Sequence, residues 1–259
     1  MSVVSAAEQS RLFLSEAIGT ALLLLGGLSV VIVMFGAGSP MPRLLPSEPL
    51  RQAITGFLFG CTGASIALSR VGKESGAHIN PVVTFGFWMM RKLEARVAAG
   101  YVLAQLAGAA LGSLPLLLWG AMGRSVDFGA TMPGAGYSPR DAMLGEAATT
   151  FALVTTLCVF LSLRRLRRFT PFTMPILYAI MVPLEAAISG TSTNPARSFG
   201  PALISGRWDA WWIYWEGPLL GGLAAIFVCS LLARRIEVAK LYHFEGDRRR
   251  LLHRMAASA

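Results

Sequence analysis

Charged side chains are scarce in this chain. Asp, Glu, Lys and Arg together make up 14% of its 259 residues, where a soluble domain carries about 25%. That shortage argues against an ordinary water-facing globule. Histidine is also sparse: three residues, scattered. With no metal-ligand cluster and no nucleophile beside a base, the sequence offers little to an enzyme, and no cofactor is implied. Cys61, Cys158 and Cys229 form no Cys-x-x-Cys and lie far apart in apolar surroundings. They read as small packing residues rather than metal ligands or a disulfide pair.

What the chain has instead is apolar length. Hydrophobic residues make up 54%, gathered into six stretches at about 12–37, 50–69, 97–121, 142–163, 171–189 and 211–233. Each approaches the ~20 residues that cross a ~30 Å hydrocarbon core at ~1.5 Å per residue. The stretches are continuous rather than alternating, which disfavours a β-barrel. The first is too long for a signal-peptide core and contains Glu16, so it reads as a retained span. The expectation is an all-α, multi-pass membrane protein.

The net charge of +9 is placed, not spread. Arg164–Arg168 follows the fourth stretch, Arg91, Lys92 and Arg96 precede the third, and Arg234, Arg235, Lys240, Arg248, Arg249, Arg250 and Arg254 follow the sixth. With both termini cytoplasmic, all three clusters fall on one side, as the positive-inside rule requires. The basic balance therefore reads as topology rather than as a nucleic-acid patch, with the tail able to touch anionic lipid. Trp208, Trp211, Trp212, Tyr214 and Trp215 read as an outer aromatic belt.

Two short segments resist this scheme. "SGAHINPVVTFG" from Ser75 and "SGTSTNPARSFG" from Ser189 align without a gap, 114 residues apart. "EAIGT" at Glu16 resembles "EAATT" at Glu146. Each half thus holds two spans, a short Asn-Pro element and a third span. Three spans per half is odd, so the halves enter the membrane from opposite faces as inverted repeats. The expected organisation is a first repeat at 1–121 with a half-helix at 80–90, a second at 122–235 with a half-helix at 194–205, and a basic cytoplasmic tail at 236–259. Pro81 and Pro195 suit a first helical turn, and Asn80 and Asn194 suit its N-cap. At mid-bilayer the non-helical stretches before them need an aqueous path for their carbonyls. Two helix N-termini facing that path favour neutral hydrogen-bond acceptors and repel cations, hydronium included.

At these residues the chain resembles the aquaporin and aquaglyceroporin (major intrinsic protein) family over roughly 10–235. The resemblance implies six transmembrane helices, two re-entrant half-helices, a pore in each subunit and a homotetramer. Glu16 and Glu146 match the family's buried glutamates that hold the pore loops, and His78 matches a histidine before the first box. Here Val82 replaces the usual alanine, which is expected to shift packing slightly while Asn80 keeps its role. Counting back from the boxes places Gly60 and Val182 at the outer constriction with Thr191 and Arg197. That set implies a wide filter passing polyols, urea-like molecules or undissociated metalloid acids as well as water. A shift of one residue would substitute Phe59 for Gly60 and narrow it. Ser198, where glycerol facilitators carry aspartate, counts against a glycerol specialist.

Glu185 lies three residues after Val182, on the same helical face. It either lines the outer vestibule, weakening the field of Arg197, or reaches interfacial water. His78 either braces the loop or senses pH. The leading expectation is a passive channel for water and small uncharged solutes. The alternatives are a water-selective pore and, from another class, an ion-coupled transporter, which inverted repeats also suit. Membrane lipid and neutral solutes are the partners implied.

Overall fold

The computed structural model describes residues 6–232 and 236–242. Among them every regular element is helical. Six long helices form the spans: Ala6–Phe35, Glu48–Leu68, Ala95–Ser113, Pro139–Ser162, Thr170–Glu185 and Ile213–Leu231. Four stretches suffice to cross a membrane by length and composition alone, Ala7–Phe35, Ala95–Arg124, Pro139–Ser162 and Ile213–Leu231. The second span opens on charged residues (Glu48, Arg51), and the fifth is only 16 residues long before it loosens into turns. The fourth span starts at a capping box, Ser138 Oγ accepting from Asp141 N while Asp141 accepts from Ser138 N, with Pro139 in the first turn. Two shorter helices, Pro81–Met89 and Pro195–Ser205, start at the Asn-Pro boxes.

The spans pair as an inverted repeat should: first with third, fourth with sixth, second with fifth. Lipid tails are as apolar as leucine, so helices in a bilayer associate through close packing rather than exclusion from water. Each pair is accordingly built on two glycines one turn apart. Gly108 and Gly112 meet Ala17 and Ala21, Gly217 and Gly221 meet Met143 and Ala147, and Gly56 and Gly60 meet Tyr178 and Pro175. At every one of the six, a Cβ would stand under 3.0 Å from facing backbone. Leu14, Leu103, Leu111, Leu184, Leu220 and Phe227 stay exposed on the outer faces, where lipid would cover them.

Val82 is buried against the sixth span. The room for its extra methyls comes from Gly222, where a Cβ would stand 2.8 Å from Val82 Cγ1. Cys158 and Cys229 are buried in the spans as free thiols, and Cys61 is half-buried. Trp208, Trp211 and Trp212 are exposed, as a belt of interfacial aromatics requires, but Trp215 is half-buried and Tyr214 is buried, its hydroxyl turned inward.

After the sixth span the chain turns back under the bundle. Ile236, Val238 and Ala239 are buried, and Leu241 N donates to Gly76 O at 3.0 Å. Lys240 Nζ donates to Lys73 O at 2.9 Å. Glu237 pairs with Arg164 and Arg167, each at 3.4 Å. Part of the expected basic tail is therefore a docked strap. Arg234, Arg235, Arg248, Arg249, Arg250 and Arg254 lie outside the described residues.

Candidate pore and its constriction

The two boxes meet tip to tip. Asn80 Nδ2 donates to Thr193 O at 3.0 Å, and Asn194 Nδ2 donates to Ile79 O at 2.9 Å. Each asparagine also caps its own half-helix: Asn80 Oδ1 accepts from Val82 N, and Asn194 Oδ1 from Ala196 N and Arg197 N. Some of the N–H groups freed at each helix start are thus satisfied, while each side-chain amide grips the opposite loop.

Both loops adopt one unusual backbone. Ala77 and Ile79 have φ of 55° and 42°, and Thr191 and Thr193, 114 positions on, have 51° and 53°. Gly76 and Gly190 precede them at 100° and 91°. Left-handed conformation costs a non-glycine residue about 1–2 kcal/mol, so something must hold it. Alternation of hand turns consecutive N–H groups to one side, as in an anion nest, and a buried carboxylate fills each nest. Glu16 accepts from His78 N (3.0 Å), Ile79 N (2.7 Å), Ser75 Oγ (2.6 Å) and Gln105 Nε2 (2.7 Å). Glu146 accepts from Ser192 N (2.7 Å), Thr193 N (2.7 Å) and Ser189 Oγ (2.6 Å). Hydrogen bonds to a charged group are worth about 1.5–3 kcal/mol each, enough to outweigh the strain. Tyr101 and Tyr214 complete the symmetry, donating to Ser75 O and Ser189 O at 2.8 Å.

His78 has no counterpart in the second loop, where Ser192 stands. Its Nε2 lies 3.0 Å from Ala239 O and its Nδ1 3.2 Å from Thr84 Oγ1. A carbonyl only accepts, so Nε2 carries a proton and ties the loop to the strap. Glu185 is buried behind the second loop, bonded to Ser189 Oγ, with its Oε2 unpartnered. It does not reach interfacial water.

The remaining residues surround Arg197. Arg197 is 7% exposed, and its guanidinium donates to Gly129 O at 2.5 Å and lies over the ring of Phe59, 5.8 Å from its centroid. The ring at Arg197 is that of Phe59, while Gly60, expected there, lines the same cavity as that ring. The open side of Gly60 faces the backbone of Pro175, 2.6 Å from where a Cβ would stand, so it serves the crossing with the fifth span. The count from the first box passes through Ser69, an extended residue, and a separate turn at Arg70–Ser75. Helical phase is lost there, and Phe59 takes the place at Arg197. Gly27 makes room for its ring, since a Cβ there would stand 2.5 Å from it. Val182 lies close to Gly56 at the second–fifth crossing, and Thr191 is buried with Oγ1 unpartnered. Ser198 is buried, bonded to Thr131 and Ser192 at 2.6 Å.

A cavity of about 600 Å³, open mouth included, runs from Phe59 and Tyr178 past Asn80 and Asn194 to Thr170 and Leu241. The asparagine tips are therefore wall, not filling. Tyr178 escaped the sequence reading. Its only signal was its place one turn before Val182.

The chain is similar to known proteins in sequence and in fold. The family model described as Major intrinsic protein matches residues 3–229. The chain is 34% identical to aquaporin AqpM of Methanothermobacter marburgensis over 228 residues, 78% of this chain and 92% of that protein. It is 37% identical to aquaporin-6 of Rattus norvegicus over 208 residues, 77% of this chain and 71% of the other. The aquaglyceroporin of Plasmodium falciparum superposes with a TM-score of 0.69 at 19% identity, covering 87% of this chain and 99% of that one. The chain belongs to the major intrinsic protein family, whose members are membrane channels and not enzymes.

Proposed function

We propose that this chain passively conducts water and the smallest uncharged solutes while excluding protons and ions. The observation that carries the reading is the reciprocal asparagine contact on the cavity wall. A side-chain amide has two N–H groups. Each asparagine spends one on the opposite loop, leaving one for a passing oxygen. With two helix N-termini and Arg197 nearby, the path is rich in donors and hostile to cations.

The constriction is assigned to Phe59, Val182, Thr191 and Arg197. Phenylalanine in place of glycine removes room, so water should pass first, urea-sized molecules and undissociated metalloid acids more slowly, and glycerol poorly. Glu16, Glu146 and His78 support the loops. Ion coupling would need a titratable acid free to bind its ion. Glu16 and Glu146 are instead occupied by loop N–H groups, and Glu185, the third buried glutamate, lies behind the second loop and not on the cavity wall. The repeats at 1–121 and 122–235, a homotetramer in the cell membrane and cytoplasmic termini belong to the same proposal.

Stopped-flow light scattering on proteoliposomes tests it, comparing water, urea, boric acid and glycerol. Fast water flux independent of proton and sodium gradients is expected. No flux above protein-free liposomes, or flux that needs an ion gradient, would overturn it.

A further inference from the structure

Tyr178 sits one helical turn, about 5.4 Å, deeper than Val182 on the fifth span. Its ring joins the cavity wall beside Asn80 and Asn194, with its centroid 5.9 Å from that of Phe59. Its hydroxyl lies 2.7 Å from Thr193 Oγ1. Thr193 is fully buried and immediately precedes Asn194. Every polar group on Thr193 is engaged: N–H with Glu146, C=O with Asn80, and hydroxyl with Ser192 O at 2.7 Å. A hydroxyl has one hydrogen. With Thr193's committed to Ser192 O, Tyr178 is the donor in the pair, and its own oxygen keeps lone pairs that accept.

From this geometry we infer that Tyr178, pinned by Thr193, is a second specificity-determining constriction between Arg197 and the asparagine tips. The inference rests on the channel reading above and deepens it. The ring narrows the path below Phe59, so a solute that clears the outer residues must still pass an aromatic side chain that cannot swing aside without breaking its bond. The hydroxyl oxygen adds a side-chain acceptor beside the side-chain donors of Asn80 and Asn194. The favoured solute is therefore small and both gives and takes hydrogen bonds, as water does. A three-carbon polyol is disfavoured by width, and a pure acceptor by the chemistry of Tyr178.

The test is the glycerol-to-water permeability ratio of proteoliposomes carrying wild type, Tyr178→Val, Tyr178→Phe, Thr193→Val and the Tyr178→Phe/Thr193→Val pair. Tyr178→Val should raise the ratio about tenfold or more, with water flux retained, as removal of a bulky wall residue frees the path. Tyr178→Phe and Thr193→Val break one shared bond, so each should raise the ratio roughly threefold, in line with a single hydrogen bond. The pair should do no more than either alone. Wild-type water flux with an unchanged ratio in Tyr178→Val would overturn the inference and leave the channel standing. Absence of wild-type water flux would instead defeat the channel reading itself. Should the valine variant fail to reconstitute, Tyr178→Phe decides: no change in its ratio refutes the pinned ring.

Discussion

Gly222 and Val82 compete for one space, and alanine at 222 should expose the conflict. A methyl there would stand 2.8 Å from Val82 Cγ1 and 3.9 Å from Val154 Cγ2. Carbon atoms pack at about 3.5–4.0 Å, so the first contact must open by roughly 0.7 Å while the second is already ordinary. Val82 is 1% exposed and sits in the first turn of a half-helix whose cap, Asn80, is bonded to the opposite loop. It has little freedom to yield. Overpacking of this kind costs about 1–3 kcal/mol, reduced by up to ~1 kcal/mol because alanine favours a helix over glycine. Val82→Ala alone empties two methyl positions and should cost about 1–3 kcal/mol as a cavity. Combined, each change supplies what the other lacks. The coupling should be ~1–3 kcal/mol in the compensating direction, returning the double variant close to wild type. Apparent Tm in one detergent at one scan rate reads this, at about 2–4 °C per kcal/mol for a chain of this size. Strictly additive losses in the double variant would show that the two residues do not share the space.

Three further expectations follow from the same contacts. Glu16→Gln should destabilise by about 2–4 kcal/mol and lower water flux, because an amide N–H₂ must face a loop N–H and leave it unpaired; unchanged Tm and flux would refute the nest. Gly112→Ala should cost about 3 kcal/mol, since its Cβ meets only Ala21 backbone, whereas Gly63→Ala, with Leu23 Cδ1 at 3.8 Å, should be neutral within ~1 kcal/mol; equal Tm shifts would contradict the packing account. Hydrogen bonds from Arg164 and then Arg167 hold the Glu237 carboxyl below its ordinary 4.5. A lowered pKa contributes strap docking that is complete above the ordinary value and lost as pH falls through the lowered one. Exchange of the Leu241 amide should therefore stay slow at neutral pH and quicken, beyond its intrinsic pH dependence, only in acid; Glu237→Gln should quicken it at neutral pH, and equal rates in both proteins would refute the attachment.

Much of this architecture was legible in the chain itself. The six apolar blocks mark the spans because a bilayer leaves few other ways to satisfy a backbone. The paired boxes and paired glutamates mark the loops, since repeats written 114 residues apart expose what each half needs. What could not be read depends on phase or on distant partners. Gly60 and Phe59 are neighbours in sequence and both line the cavity, and the break at Ser69 removes the register that would have told which of them meets Arg197. Val82 looks like a departure until Gly222, far along the chain, is seen to absorb it. Glu185 carries a charge that suggests water, yet it is buried behind Ser189. Tyr178 lies in an apolar span, and nothing local announces that its hydroxyl reaches Thr193.

The docked strap has a counterpart at the second loop, the segment from Gly129 to Gly134, but the two present different groups. Beneath the first loop Ala239 O faces His78, whereas at the second Gly129 O accepts from Arg197 and Thr131 bonds Ser198. A passive conduit cannot favour one direction of travel at equilibrium, whatever the shape of its doors. Unequal doors still matter to anything too large to enter. A blocking molecule that finds purchase at one vestibule would meet different furniture at the other, so inhibition of this protein should depend on the side from which it is applied.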